Sequence, residues 1–238
     1  MTARRGWIVA GAVLALLLLI ATFPMRLALA WSGATEAGVA ARDVRGSVWS
    51  GELVEARFGA LPLGTVRASL SPLALLGGNV ELAFARTDDR LGALAGRLYG
   101  SDPRGVSDVS GTTSMAGGLG AVPVDRISFE GATVRFDDTG KCVVAGGRIR
   151  LVVSAPIAGL DLSRGLSGSL SCVNGRAQAA LASQSGMERL TLSFDGSGAY
   201  RAQFAINVDR DPAMAAALAA LGFKAGAGGF VLATTGRF

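Results

Sequence analysis

The feature that most constrains this chain is an uncharged apolar run near its amino terminus, over residues 7–23. A helix on the surface of a soluble domain repeats polar residues every three or four positions, and this run does not. A helix that crosses a bilayer needs about 20 apolar residues, with a lower limit near 17. The run therefore predicts a membrane helix, and we expect a transmembrane signal anchor over residues 7–29.

The charges around this segment predict its orientation. Arg4 and Arg5 precede the run, and no acidic residue occurs before Glu36. By the positive-inside rule, we expect residues 1–6 to stay in the cytoplasm and residues 31–238 to lie on the other side of the membrane.

A cleaved signal peptide is the alternative to an anchor, because Ala28-Leu29-Ala30 matches the small-residue pattern that precedes a cleavage site. However, the apolar run is longer than the core of about 7–15 residues that signal peptides have. Arg26 also separates the run from this site. Both features favour an uncleaved anchor.

The remainder of the chain predicts an all-β fold. Apolar and polar residues alternate over residues 65–71, 80–84, 189–194 and 200–208, and a period of two is typical of half-buried antiparallel strands. Turn-forming residues separate such segments at short intervals, which favours consecutive hairpins. We expect an elongated, strongly twisted antiparallel sheet with open edges.

Three segments depart from the strand pattern. Residues 71–77 have the composition of a single helical turn. A short helix is predicted near the C-terminus, because Asp211 suits an N-cap, Pro212 the first helical position and Gly222 a C-terminal cap. The Gly- and Ser-rich stretch near 100–124 predicts a mobile loop or an internal boundary.

Cys142 and Cys172 are the two cysteines of the chain, and both lie beyond the predicted anchor in strand-like segments. In an oxidising compartment an even count favours a disulfide. The closed loop would contain about 31 residues and would contribute roughly 3–4 kcal/mol through chain entropy. Two buried free thiols are the alternative.

The composition argues against an enzyme, and we predict no catalytic, cofactor-binding or metal site. The chain has no histidine, which excludes the commonest general base and zinc ligand. The Asp pairs at 88–89 and 137–138 have turn-like contexts, and neighbours on a strand point to opposite faces.

Of the 23 basic residues, three lie at the anchor, whereas none of the 18 acidic residues do. The rest is nearly neutral and has no basic block, so a nucleic-acid partner is not expected.

Four short motifs follow the apolar run in order. They are a Gly-x-x-Trp-x-Gly core within residues 44–53, a Leu-Pro-Leu-Gly step at 61–64, a Pro-Leu-x-Leu-Leu turn within 71–77, and a closing helix and strand from 211 onward. In this order, and with the anchor before them, they resemble the type II secretion system protein N family (general secretion pathway protein N) of bacteria. The residues that carry the resemblance are Gly46, Trp49, Gly51, Pro62, Gly64, Pro72, Gly77, Asp211, Pro212 and Gly222. From the residues alone, we expect Trp49 to be a core anchor.

The resemblance implies a non-catalytic accessory or assembly subunit of the type II secretion system. Such a protein would be anchored in the inner membrane, would extend a β domain into the periplasm, and would contact other inner-membrane subunits of the system. Exposed strand edges would suit pairing with such a subunit. A periplasmic lipid-binding or lipid-transfer groove is the alternative function, because the sequence does not distinguish an apolar groove from a packed core.

Overall fold

A computed structural model describes residues 2–33, 38–59, 61–86, 91–114, 124–153, 162, 164–207, 212–226 and 228–237. Within these residues the chain forms one sheet of fifteen antiparallel strands and four helices. The helices are α1 (Thr2–Ala21), α2 (Met25–Trp31), α3 (Pro72–Leu76) and α4 (Pro212–Ala220). The strands are β1 (Val39–Ala40), β2 (Asp43–Ser47), β3 (Ser50–Phe58), β4 (Leu61–Leu70), β5 (Glu81–Arg86), β6 (Leu94–Tyr99), β7 (Arg104–Ser114), β8 (Arg126–Phe136), β9 (Cys142–Val152), β10 (Leu166–Val173), β11 (Arg176–Ala182), β12 (Glu188–Phe194), β13 (Ala199–Ile206), β14 (Lys224–Gly226) and β15 (Gly229–Arg237).

The sheet is almost entirely a run of consecutive hairpins, which confirms the all-β prediction. From β3 to β13 each strand pairs with the next strand in the chain. The two ends differ. Strands β1 and β2 pair with different parts of β3, whereas β15 lies between β13 and β14.

The predicted alternation agrees with which side chains are buried. In β12 and β13, Leu190 lies opposite Phe204, and Phe204 lies opposite Leu232 of β15. Leu190 and Phe204 are both buried, whereas the adjacent Arg189 and Gln203 are exposed. One face of the sheet therefore forms the core.

The sheet is curled, as contacts between turns of strands that are not neighbours in the sheet show. The backbone N–H of Gly196, in the β12–β13 turn, donates to the carbonyl of Gly140 in the β8–β9 turn at 3.0 Å. Phe136 and Phe194 pack edge to face beside this contact, with ring centroids 6.0 Å apart. The curled face is filled by side chains of its own strands and of α4, including Leu218, which is fully buried.

A second, smaller core lies at the amino-terminal end of the sheet. It contains Met25 of α2 together with Leu53, Ala56, Val66 and Ala68 from β3 and β4. Leu63 and Phe84 pack against both cores. The helix α2 is thus part of the β domain.

The amino-terminal segment differs from the single helix predicted over 7–29, because it forms two helices. The helix α1 ends at Ala21, Pro24 forms an isolated antiparallel bridge with Ser47, and α2 begins at Met25. Met25 is buried against the sheet. Pro24 explains the break, since proline lacks the N–H that would continue the helix. Among the described residues, no helix is both long enough and apolar enough to cross a membrane.

The two other predicted helical segments are present. The helix α3 begins with Pro72, and the hydroxyl of Ser71 accepts a hydrogen bond from the backbone N–H of Ala74 at 3.3 Å. The helix α4 begins with Pro212 and is followed by Gly222, whose φ of +89° suits a glycine C-cap. The predicted N-cap, Asp211, lies outside the described residues.

The stretch near 100–124 is in part a strand. Residues 104–114 form β7, which pairs with β6 and with β8, so the sheet continues through them. These eleven residues thus belong to the sheet, where the sequence predicted a mobile loop or an internal boundary. The composition was misleading because most of the Ser, Thr and Gly residues in this strand occupy half-exposed positions, although Thr113 is buried. Residues 115–123 lie outside the described part of the chain.

The predicted disulfide joins Cys142, the first residue of β9, to Cys172 in β10. Their Cα atoms are 5.5 Å apart, and 30 residues separate them in sequence. The bond reinforces the β9–β10 pairing at the end where the sheet curls, since the N–H of Cys142 also donates to the carbonyl of Gly175 at 2.8 Å.

Candidate interaction surfaces

The turn between β2 and β3 holds the junction between the two amino-terminal helices. The indole Nε1–H of Trp49 donates to the carbonyl of Ile20 at 2.8 Å, and the N–H of Val48 donates to the carbonyl of Phe23 at 3.0 Å. The last four carbonyls of a helix have no partner inside the helix. Trp49 therefore satisfies one of these groups in α1 and fixes the end of α1 to the sheet.

Trp49 is not the core anchor that the sequence predicts. Its side chain is half-exposed at a turn, whereas the neighbouring Val48 is the buried residue. The prediction followed from the usual burial of tryptophan. Its polar N–H gives the residue another role, as a link between a sheet and a helix that is distant in sequence.

The two glycines of the same motif are explained by close approaches. Gly46 has a φ of +82°, and a Cβ there would overlap the carbonyl oxygen of Ser50. Gly51 is buried, and a Cβ there would overlap the Sδ of Met25. One glycine therefore permits the tight turn, and the other makes room for α2 on the sheet.

The Leu-Pro-Leu-Gly step at the start of β4 lies beside a buried arginine at the end of β5. The Arg86 side chain donates to the carbonyls of Leu63 at 2.6 Å and Thr112 at 2.8 Å, and to the hydroxyl of Thr113 at 3.0 Å. The hydroxyl of Thr113 in turn donates to the carbonyl of Pro62 at 3.2 Å. Arg86 thus ties β4 to β7 across two intervening strands.

No sequence motif marks Arg86. Its neighbours form an ordinary alternating strand, and no local pattern indicates that a guanidinium will meet carbonyls from strands more than twenty residues away. Gly64, which follows in the motif, has a φ of +72° inside β4 and lies opposite Ala56 at a register shift. The step therefore bends β4 at the place where Arg86 holds it.

Nine of the ten residues of the resemblance are described, and these nine do not form one site; the tenth, Asp211, lies outside the described residues. Gly46, Trp49 and Gly51 lie at the helix junction, and Pro62 and Gly64 lie at the opposite end of β4. Pro72 begins α3 and Gly77 caps its end, whereas Pro212 begins α4 and Gly222 follows its end. Their shared property is local geometry, namely turns, helix ends and close approaches.

The acidic turns are stabilised internally. The side chain of Thr139 and the N–H of Lys141 donate to Asp137 at 2.7 and 2.9 Å, and these bonds hold the pKa of Asp137 below its ordinary value. In the β12–β13 turn, the hydroxyl of Ser197 donates to the carboxylate of Asp195 at 2.6 Å and lowers the pKa of that carboxyl. Both turns thus keep ionised carboxylates that close the turn. Within the described ranges, no group of three or more His, Cys, Asp or Glu residues could hold a metal ion.

The sheet ends in two edges that no described strand covers along their full length. On one side β2 pairs only with β3, apart from the bridge at Pro24. On the other side β14 pairs with residues 229–231 of β15, so residues 232–237 have β13 on one side only. Such edges present backbone donors and acceptors to an incoming strand.

The family model described as type II secretion system (T2SS), protein N matches residues 37–233 of the chain. The match begins just before β1 and ends within β15, so it covers the hairpin sheet except for the last four residues of β15. No curated protein and no solved structure matches the chain.

Proposed function

The chain belongs to the type II secretion system protein N family, and from this premise we propose that it is a non-catalytic assembly subunit held at the inner membrane by α1. In this proposal the curled sheet lies in the periplasm and contacts other inner-membrane subunits of the system. Family membership supports the pathway, and the features of the amino-terminal helices and of the sheet edges support the role.

The observation that carries the proposal is the exposed apolar surface of α1. Leu14, Leu16, Leu17, Leu18 and Leu19 are each between 57 and 64% exposed, and no described part of the β domain covers them. Contiguous apolar surface of this kind indicates a protein or membrane contact rather than water. Arg4 and Arg5, at the start of α1 and before its apolar part, suit a cytoplasmic flank.

The direct attachment of α1 to the sheet restricts where the β domain can lie relative to the helix. Only Thr22, Phe23 and Pro24 separate α1 from α2, and Trp49 bonds the final turn of α1. A domain connected in this way is held close to the membrane surface. A helix on a flexible linker would not restrict the domain in this manner.

The sheet edges supply the surface for a partner subunit. Along the outer edge of β15, over residues 232–237, every side chain is exposed or half-exposed. A strand of another protein could therefore pair with this edge without displacing buried side chains. Pairing of this kind uses backbone hydrogen bonds and is a recurrent mode of recognition. We propose that one edge pairs with another inner-membrane subunit.

The lipid-groove alternative requires an apolar channel that a lipid can enter. The concave face of the described sheet is instead occupied by Leu166, Phe204, Ile206 and Leu218, each at most 2% exposed. These side chains pack against one another, which favours a packed core. The described part of the sheet therefore offers no specific support for lipid transfer.

Affinity purification from solubilised native membranes tests the proposal. We expect other inner-membrane secretion subunits to be enriched with the tagged chain, and we expect a deletion strain to secrete less of a type II substrate. Extraction of the membranes at alkaline pH tests the anchor separately, because an inserted protein stays in the pellet. The absence of enrichment together with normal secretion would refute the assembly role, and release at alkaline pH would refute the anchor.

A further inference from the structure

A second apolar surface lies at the same end of the sheet as the helix junction. It consists of Leu73, Leu75 and Leu76 in α3 and the neighbouring Val80, and we call it the α3 patch. Leu73 is 81% exposed and Leu76 is 86% exposed, and α3 has no buried residue. A helix that covered the core of its own domain would bury one stripe. The apolar side of α3 thus faces away from the domain.

Two hydrogen bonds of the β2–β3 turn link the end of α1 to the end of β4, just before α3. Trp49 bonds the carbonyl of Ile20, and the adjacent Val48 accepts a hydrogen bond from the N–H of Leu70 at 2.9 Å. The helix α3 begins two residues after Leu70. The α3 patch and the apolar helix α1 therefore flank the same turn, between β2 and β3.

The distribution of exposed apolar side chains distinguishes this end of the sheet from the other. At the opposite end, Phe58 and Met187 lie in or beside separate turns and are each less than half exposed, which is normal for a soluble surface. At the junction end, the α3 patch and α1 both lie beside the β2–β3 turn. Trp31, at the end of α2, is 75% exposed there, and its ring centroid lies 5.8 Å from that of Phe23. Exposed tryptophan is typical of the boundary between acyl chains and headgroups.

The length of α1 indicates what covers the α3 patch. The uncharged part of α1 begins after Arg5 and spans about 24 Å, compared with a hydrocarbon core of about 30 Å. A short apolar helix is accommodated by local thinning of the bilayer or by drawing its flanking residues into the interface. Because α1 is bonded directly to the β2–β3 turn, the same displacement would bring α3 to the membrane.

We propose that the α3 patch inserts into the interface of the membrane that α1 enters, so that the β domain has two membrane contacts. The proposal rests on the membrane attachment proposed above and adds an orientation to it. The domain would lie with the end that carries the β2–β3 turn and α3 against the lipid, and its edge strands would extend into the periplasm.

The test uses the full chain in vesicles of phosphatidylethanolamine and phosphatidylglycerol, with an environment-sensitive fluorophore on one introduced thiol. The site is Leu76→Cys, and the matched control is Met187→Cys, an exposed apolar residue in the turn at the far end. The native cysteines stay in their disulfide under non-reducing labelling. Flotation of the vesicles shows in each case whether the protein is bound.

We expect the fluorophore at residue 76 to emit at shorter wavelength and to be quenched by spin-labelled lipid. We also expect quenching by aqueous iodide to be several-fold weaker there than at residue 187. Equal iodide access at the two positions in protein that floats would overturn the second contact while leaving α1 as an anchor. Protein that fails to float would refute the anchor itself. Protection at residue 76 from both quenchers would also overturn the proposal, since it would mean that protein covers the patch.

Discussion

Replacing Gly51 by alanine tests how α2 is seated on the sheet. A Cβ at this position would overlap the Sδ of Met25 and would come within 3.0 Å of the carbonyl oxygen of Ser47. Met25 is only 4% exposed. Overpacking of this kind costs about 1–3 kcal/mol, and expulsion of the methionine would lose a burial term of about 1.5–3 kcal/mol. We expect Gly51→Ala to lower the free energy of unfolding by about 1–3 kcal/mol.

A double-mutant cycle distinguishes this overlap from a general glycine effect. Met25→Ala alone removes a buried side chain and should cost about 2–5 kcal/mol. In that background the methyl group introduced at position 51 no longer overlaps the methionine, so Gly51→Ala should cost much less, with only the approach to the carbonyl oxygen of Ser47 at 3.0 Å remaining. The coupling between the two positions should therefore be about 1–3 kcal/mol.

The assay is denaturant unfolding of the full chain in detergent, followed by tryptophan fluorescence. Gly146→Ala is the matched control, because Gly146 also lies in a strand and a Cβ there would meet no atom within 4 Å. This control should change the free energy of unfolding by less than about 1 kcal/mol. If Gly51→Ala is as neutral as the control, or if the two effects in the cycle are simply additive, the proposed seating of α2 is refuted.

Three further predictions concern the β domain. Reduction of the Cys142–Cys172 bond should lower the free energy of unfolding by about 3–4 kcal/mol, as measured by denaturant titration with and without reductant. Leu218→Ala, at a fully buried position in α4, should lower it by about 2–5 kcal/mol in the same assay. The depressed pKa of Asp195, caused first by the Ser197 hydroxyl, contributes stability that is present above the unfolded pKa and is lost as the pH falls through the folded one. The midpoint for denaturant should therefore fall more steeply below about pH 4 in the native chain than in Asp195→Asn.

Each of these has an outcome that contradicts it. Identical unfolding curves with and without reductant would show that the disulfide does not constrain the unfolded chain. A neutral Leu218→Ala would mean that α4 does not pack on the core as described. Parallel acid profiles of the native chain and Asp195→Asn would show that the turn carboxylate does not couple to folding.

The sequence predicted the elements of the sheet best where local pattern decides the structure. The alternation over residues 189–194 corresponds to β12, and that over 200–208 corresponds to β13 as far as Ile206; Pro212 with Gly222 indicated the bounds of α4. The cysteines were predicted to pair because each lies in a strand-like segment. The alternation of apolar residues, the helix caps and the turns depend on residues that are close in the chain. They can therefore be predicted from the sequence.

The contacts that join distant segments could not be predicted in this way. No local pattern indicates that the Trp49 indole meets Ile20, 29 residues away, or that Arg86 binds carbonyls of β4 and β7. The break at Pro24 was concealed because apolar residues continue on both sides of it. The strand β7 was missed because its Gly, Ser and Thr composition is typical of a loop, and only pairing with β6 and β8 makes it a strand.

The most direct test of the account exchanges the amino-terminal helix and measures secretion of a type II substrate by a deletion strain. Three chains are compared at equal abundance: the native chain, one in which residues 1–21 are replaced by an unrelated membrane anchor, and one in which they are replaced by a cleavable signal peptide. Protease resistance and disulfide formation check that each β domain is folded. The account predicts that both anchored chains restore secretion and that the released β domain does not. Full restoration by the released domain would contradict the claim that this protein acts by holding a β surface at the membrane.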